Sequence, residues 1–199
     1  MNHKLTNTAY KLLSQNMQSY GGTGWEIGVP VVVTVPGNTL CTNQLLHCYS
    51  DLELAVIFNP IHANIRNPRL FEIKTSEILA DDGLKQGCKE QVLVEELPLP
   101  VISTDIKIAF AILCALEVWQ DETFVNWAYK WLNKEDRSET AAYAAYAAAD
   151  AADVAYAAYA AAYAAAADAA ADVAAARKEN LQMTADIVRE VLPFEIWEF

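Results

Sequence analysis

The alternation of apolar and polar residues predicts β-strands in the first part of the chain. Arg69–Thr75 and Glu90–Leu97 alternate residue by residue, as expected of half-buried strands. The β-branched run Val29–Val35, closed by Pro36-Gly37, predicts a strand followed by a turn. Leu45–Cys48 is a further short candidate. Together these segments predict a mixed β-sheet.

One or two helices are predicted to accompany this sheet. Thr8–Met17 has the pattern of a short helix. Leu52–Phe58 is predicted as a second helix, because Ser50-Asp51 supplies residues that favour the N-cap position. The glycines of Gly21-Gly22-Thr23-Gly24 predict a flexible turn, since neither a phosphate loop nor a dinucleotide motif fits them.

A change in composition predicts a domain boundary near residue 100. All seven glycines and six of the seven prolines precede residue 101, and neither occurs from Val101 to Leu192. The sequence therefore predicts an α+β protein, with a mixed α/β domain in residues 1–100 and an all-helical domain in residues 101–199.

Three helix signals follow the boundary. Ser103-Thr104-Asp105 is a predicted cap for a helix over Ile106–Val118, which is apolar nearly all round. The next helix has an amphipathic stripe formed by Phe124, Trp127, Ala128, Trp131 and Leu132. The spacing of Asp136 and Glu139 predicts that a third helix begins near Arg137.

Residues 141–176 contain 25 alanines, five tyrosines, four aspartates and two valines, a composition that strongly favours helix. One helix from Arg137 to Leu192 would be about 80 Å long, whereas a compact chain of this size is about 40 Å across. Aspartate favours helix N-caps, so breaks are predicted near Asp150–Asp153 and Asp168–Asp172. The result is an alanine-rich antiparallel helical bundle.

Tyrosine must supply most of the contact area of this bundle, because alanine buries little surface. The tyrosines and aspartates could form a structural ladder, an exposed recognition face or an ice-binding surface. The candidate binding residues are Tyr143, Tyr146, Asp150, Asp153, Tyr156, Tyr159 and Tyr163.

The net charge of the chain limits the kinds of partner that we expect it to bind. The chain has a formal net charge of -12, and its second part is the more acidic: residues 101–199 carry 7 basic and 16 acidic residues, against 7 and 10 in residues 1–100. Passive binding to nucleic acid or to an anionic membrane needs a basic surface and is therefore not predicted. The charge favours either solubility alone or a protein partner with a basic surface. Homo-oligomerisation remains an alternative.

The composition also limits where the protein is expected to be located and which cofactors it is expected to bind. No run of 18 bulky apolar residues predicts a membrane span, and the polar start of the chain lacks the apolar region of a signal peptide. The four cysteines have no compact zinc-binding spacing. Reduced thiols and a cytoplasmic location are expected. No metal or other cofactor is predicted.

His47 is the best single candidate for chemistry. It lies between a predicted strand and a predicted helix cap. Cys48 with His47 or His62 could form a thiolate–imidazole pair, and the same three residues could bind a metal. The alternative is that His47 only satisfies a hydrogen bond at the end of a strand.

Two resemblances add hypotheses. The segments Trp25–Gly28, Leu40–Asn43 and Leu46–Asp51 resemble a small domain of uncharacterised bacterial and phage proteins. Their order is distantly similar to ADP-ribosyltransferase folds. That resemblance implies that His47 lies at the nicotinamide-ribose position and that Glu90 lies at or near the catalytic acid position. A nucleotide-binding relative without catalysis is also implied.

The segment from Trp127 to Ser138 and the alanine repeats after it are similar to alanine-rich helical immunity proteins of bacterial toxin systems. This resemblance implies a non-enzymatic protein that binds and inhibits a protein partner, as an immunity or phage anti-defence protein does. The sequence thus favours an acidic inhibitor. The first alternative is an ADP-ribosyltransferase-like enzyme or nucleotide-binding module that uses His47 and Glu90, and the second is a structural, oligomeric bundle.

Overall fold

The computed structural model describes residues 5–118, 122–138 and 171–191. These residues contain two antiparallel sheets and five helices, so the predicted α+β class is confirmed. The predicted alanine-rich bundle falls largely on residues outside the described ranges, as do its predicted breaks.

The chain divides into two compact units. Met1–Val101 and Leu181–Phe199 form the first, and Ile102–Asn180 form the second. The sequence assigned residues 101–199 to a single domain, whereas the last part of the chain groups with the first unit. Long-range contacts decide this grouping, and local periodicity does not report them.

The first unit contains a four-stranded sheet in the order β1-β4-β7-β2, in which all neighbouring strands are antiparallel. The strands are Asn7–Leu13 (β1), Val31–Val32 (β2), Arg69–Thr75 (β4) and Glu90–Leu97 (β7). The predicted bounds of β4 and β7 are confirmed. The strand predicted over Val29–Val35 is only two residues long, which fits the presence of Pro30, a residue with no backbone N–H to donate.

The helix predicted over Thr8–Met17 is wrong. Asn7–Leu13 is a strand that pairs along its whole length with Arg69–Thr75. Ser14 begins a turn instead, in which the Met17 N–H donates to the Ser14 carbonyl oxygen (3.0 Å). A partner strand thus overrides a weak local preference for helix.

A buried core joins one face of this sheet to the neighbouring segments. Its members are Ala9, Leu13, Trp25, Cys48, Phe71, Ile73 and Leu93. Ala9 pairs with Ile73, and Ile73 pairs with Leu93, so three adjacent strands contribute side chains at the same level.

A three-stranded antiparallel sheet, in the order β3-β6-β5, completes the β-structure described for the first unit. Its strands are Leu46–Cys48 (β3), Ile78–Asp81 (β5) and Gln86–Cys88 (β6). The strand predicted at Leu45–Cys48 is confirmed to within one residue. β5 and β6 were not predicted, because neither shows a long alternating pattern.

Two short helices follow β3: Leu52–Ile57 (α1) and Asn59–His62 (α2). Asp51 occupies the N-cap position of α1 as predicted, but its side chain makes no capping hydrogen bond. The Asp51 carboxylate instead accepts hydrogen bonds from Ser50 Oγ (2.7 Å) and from the Arg189 guanidinium (2.7 and 3.0 Å). Arg189 lies near the C-terminal end of a later helix, Ala171–Val191, in the part of that helix that belongs to the first unit.

The second unit contains Thr104–Val118 (α3) and Glu122–Leu132 (α4), and the helix over Ala171–Val191 is α5. The predicted cap is present, because Ser103 Oγ accepts a hydrogen bond from the Ile106 N–H (3.3 Å). The amphipathic stripe predicted for α4 is confirmed. Its buried members, Phe124, Ala128 and Trp131, pack with Ile112 and Ala115 of α3.

None of the helices in the described ranges combines the length and the apolar character needed to cross a lipid bilayer. The four cysteines are all free thiols: Cys41 is exposed, Cys114 is partly buried, and Cys48 and Cys88 are buried.

Candidate functional site

A cavity of about 420 Å³ lies in the first unit. Its walls come from β1, the loop over residues 19–25, the loop before β3, and helices α1 and α2. The side chains that can hydrogen-bond or titrate include Lys11, Cys41, His47, Tyr49, His62 and Lys85. The turn formed by the predicted glycine segment contributes Gly21 and Thr23 to the same wall.

The charge of this cavity is opposite to that of the chain. Lys11 and Lys85 line it, and no aspartate or glutamate is among the described residues that do so. The chain as a whole has a net charge of -12. A concave site with charge of a single sign raises the local concentration of ligands of the other sign.

Lys11 is the most unusual residue of the cavity. It lies on β1 between core positions, and only 7% of its surface is exposed. Its amine donates to the His47 carbonyl oxygen (2.5 Å) and lies 4.7 Å from the centre of the Trp25 ring. Burial lowers the pKa of Lys11 to about 8, although the nearby thiols of Cys48 and Cys88 act in the opposite direction.

His47 projects its ring toward the loop before β3. Its Nε2 atom accepts a hydrogen bond from the Cys41 N–H (3.0 Å). Burial lowers the pKa of His47 to about 4, and Lys85 and Lys11 lower it further by charge repulsion. The ring is therefore neutral at pH 7. Because Nε2 accepts a hydrogen bond, the proton is on Nδ1.

The strand pair that contains His47 leaves no room for a side chain at position 87, which is a glycine. Gly87 of β6 is the partner of His47, and a methyl group on Gly87 would lie 2.7 Å from Leu45 Cδ1 and 3.0 Å from Leu40 Cδ2. We expect Gly87→Ala to lower the free energy of unfolding by about 1–2 kcal/mol through overpacking. Gly24→Ala is the control, since its added methyl group would meet nothing within 4 Å. Urea denaturation of both variants checks this, and equal stabilities would contradict it.

Tyr49 and His62 form a hydrogen-bonded pair in the same cavity. The Tyr49 hydroxyl lies 2.7 Å from His62 Nδ1, and the His62 ring stacks on Tyr49 and Phe58. Burial lowers the pKa of His62 to about 4, with smaller contributions from Lys85 and His47. The pair joins a hydroxyl and a neutral imidazole, which can exchange a proton.

Lys85 also lines the cavity. It follows a turn in which the Asp82 carboxylate accepts hydrogen bonds from the backbone N–H groups of Leu84 and Lys85. The Lys85 amine lies 3.1 Å from Cys41 Sγ.

No family model, curated protein or solved structure matches this chain. The resemblances to ADP-ribosyltransferase folds and to immunity proteins therefore stay predictions.

Of the two residues predicted for catalysis, one is among the described residues that line the cavity. His47 lines the cavity, whereas Glu90 lies on β7 and is not among the described lining residues. The backbone N–H of Glu90 donates to Ser76 Oγ (3.1 Å). The seven tyrosines and aspartates predicted to bind a partner lie between residues 143 and 163, outside the described ranges.

The thiol of Cys48 pairs with another thiol. It hydrogen-bonds to Cys88, which raises the pKa of Cys48 and lowers that of Cys88 to about 7. The hypothesis of a thiolate–imidazole pair between Cys48 and His47 is not supported, because adjacent residues of a strand point to opposite faces. In the part of the chain that the structure describes, no three His, Cys, Asp or Glu residues cluster as a metal would require.

Sequence reasoning missed Lys11 and Lys85. A signal for Lys11 was present, since it is spaced two residues from both Ala9 and Leu13 and would share their inward face on a strand. Because a helix was predicted for this segment, the strand pattern was not recognised. Lys85 has no comparable local signal, because its position depends on how the turn before β6 folds.

Proposed function

We propose that the first unit binds a small anionic ligand of the nucleotide class in this cavity. The observation that carries the proposal is the local reversal of charge, with two lysines and no carboxylate among the described lining residues of an acidic chain. Burying a lysine without a carboxylate partner is unfavourable. A bound phosphate would supply the missing negative charge and would form charge-assisted hydrogen bonds.

The size and the aromatic lining support a ligand with a planar group. A volume of about 420 Å³ lies within the usual range of small-molecule sites. Tyr20, at 76% exposure, also lines the cavity and offers a ring face on which a base can stack. His47 and His62, neutral at pH 7, add hydrogen-bonding groups without adding charge.

This proposal keeps part of the hypothesis drawn from the ADP-ribosyltransferase resemblance. Binding of a nucleotide-like ligand at His47 fits the cavity, whereas a catalytic role for Glu90 has no support from its place on β7. The proposed function is therefore ligand binding, and Lys11, Lys85 and Tyr20 are proposed as its main determinants.

Calorimetric titration tests the proposal. We expect AMP to bind at least about tenfold more tightly than adenosine, which has the same base but no phosphate. Lys85→Met should weaken AMP binding by a similar factor and leave adenosine binding unchanged. Lys130→Met, at an exposed position on α4, is the control and should bind AMP as the unaltered protein does. Equal affinities for AMP and adenosine would contradict the proposal.

Inhibition of a basic protein partner by an acidic, alanine-rich antiparallel bundle remains a second, independent proposal. Its support is the charge of residues 101–199, with 7 basic and 16 acidic side chains. Its proposed binding residues lie outside the described part of the chain, so the cavity is the better supported site.

A further inference from the structure

We infer that Lys11 forms an imine with an aldehyde or ketone group of an anionic ligand bound in the cavity. This inference rests on the proposed function, because the cavity must first hold the ligand against β1. It adds a covalent step and a second class of ligand for the same anion site, a phosphate- or carboxylate-bearing carbonyl compound, which shares the anionic group of a nucleotide.

The position of the amine is the first support. Lys11 lines the cavity, is 7% exposed, and has no carboxylate in an ion pair among the described residues. Its contacts are the His47 carbonyl oxygen and the face of the Trp25 ring. Fully buried lysines without a charged partner are rare in proteins. A carbonyl oxygen and a ring face leave the amine lone pair free to react once the proton is lost.

The second support is that the amine loses its proton easily. Burial lowers the pKa of Lys11 to about 8. The titratable groups that face it are the thiols of Cys48 and Cys88 and the neutral ring of His47. At pH 7 roughly a tenth of the Lys11 amines are neutral, about 300-fold more than for a lysine with the usual pKa. Desolvated lysines of this kind are the ones that proteins use for Schiff bases.

The step balances without an oxidant or a reductant. The neutral amine nitrogen attacks the carbonyl carbon, so that an N–C bond forms while the C–O π bond breaks. One amine proton moves to the carbonyl oxygen and makes a hydroxyl. The second amine proton lets that hydroxyl leave as water, and an N=C double bond remains. Tyr49 and His62 line the same cavity as a hydrogen-bonded pair and can pass a proton to the departing hydroxyl.

Reductive trapping tests this inference on the full chain. The probe is pyridoxal 5′-phosphate, which has an aldehyde, a phosphate and an aromatic ring, followed by borohydride reduction and peptide mass spectrometry. We expect Lys11 to be labelled at least about tenfold faster than Lys130 and Lys134, which are exposed internal controls. Lys11→Met should abolish the fast labelling. Lys85→Met should slow labelling by weakening phosphate binding, with Lys11 still the labelled site.

A second probe separates the failure of this inference from the failure of the proposed function. Pyridoxine 5′-phosphate has the same phosphate and ring but an alcohol in place of the aldehyde. If it binds in the calorimeter and Lys11 is not labelled preferentially by the aldehyde, the imine is excluded and anion binding stands. If neither pyridoxine 5′-phosphate nor AMP binds and Lys11 is not labelled, both are overturned; if AMP alone binds and Lys11 is not labelled, only the imine is overturned. Equal labelling of Lys11 by uncharged pyridoxal would overturn the requirement for an anionic ligand.

Discussion

Replacing Lys11 with methionine is expected to raise the free energy of unfolding by about 2 kcal/mol at pH 7. The charged amine is 7% exposed and has no carboxylate partner in the described residues, so the folded state must desolvate it. A pKa of about 8 in place of the usual 10.5 corresponds to a cost of about 3 kcal/mol. Methionine removes the charge and keeps the length, but it loses the hydrogen bond to His47, worth about 1 kcal/mol.

The same variant is expected to have a different pH dependence. Between pH 8 and 10.5 the unfolded chain still holds the Lys11 proton, whereas the folded chain has released it, so the stability contributed by this group rises with pH. Below pH 8 the cost is constant. The advantage of Lys11→Met should therefore shrink as pH rises from 8 and reverse by about pH 10.5.

The comparison with the unaltered protein removes the other titrations. The lowered pKa of Cys88, about 7, contributes stability at high pH that is lost as pH falls through 7, and the raised pKa of Cys114, about 12, has the opposite effect above pH 9. Both occur in the two proteins alike, apart from the lowering effect of Lys11 on the pKa values of Cys88 and Cys48. Urea denaturation at pH 7, about 9 and about 10.5 measures the difference. Lys85→Met is the matched control. Its free energy of unfolding should still rise between pH 8 and 10.5, because Lys11 is unchanged. A less stable Lys11→Met at pH 7, with an unchanged pH profile, would contradict the prediction, because it would show that folding does not lower the pKa of Lys11.

The sequence predicted those strands whose signal is local. Arg69–Thr75 and Glu90–Leu97 alternate over seven or eight residues, and the structure has them as β4 and β7. Asn7–Leu13 shows the opposite case. Its conformation depends on a partner strand about 60 residues away, so a short window favoured helix. Recognising this strand would have marked Lys11 as an inward-facing lysine.

The site could be predicted only in part for the same reason. His47 was singled out by its place between a strand and a helix, and it does line the cavity. Lys11, His62 and Lys85 meet there because a strand, a helix and a turn from distant parts of the chain converge. Their approach depends on small details, such as the absence of a side chain at Gly87 opposite His47. No spacing in the sequence encodes that convergence.

Replacing Trp25 with alanine is expected to lower the free energy of unfolding by about 3–5 kcal/mol, the usual cost of truncating a buried tryptophan. Trp25 packs in the core beside Phe71, its indole N–H donates to Ser19 Oγ (3.1 Å), and its ring lies under the Lys11 amine. Trp25→Phe keeps most of the ring and should cost only about 1–2 kcal/mol, including the lost hydrogen bond.

Tyr20 supplies the matched control in the same loop, because its side chain is 76% exposed. Tyr20→Ala should leave stability within about 0.5 kcal/mol and weaken AMP binding by about tenfold through the loss of stacking. Urea denaturation and calorimetry of the three variants measure both effects. If Tyr20→Ala destabilised the protein as much as Trp25→Ala, the loop would be a packed part of the core. The Tyr20 ring would then stabilise the fold and would not be available to stack on a ligand. An exposed ring, in contrast, can stack on a ligand without loss of stability.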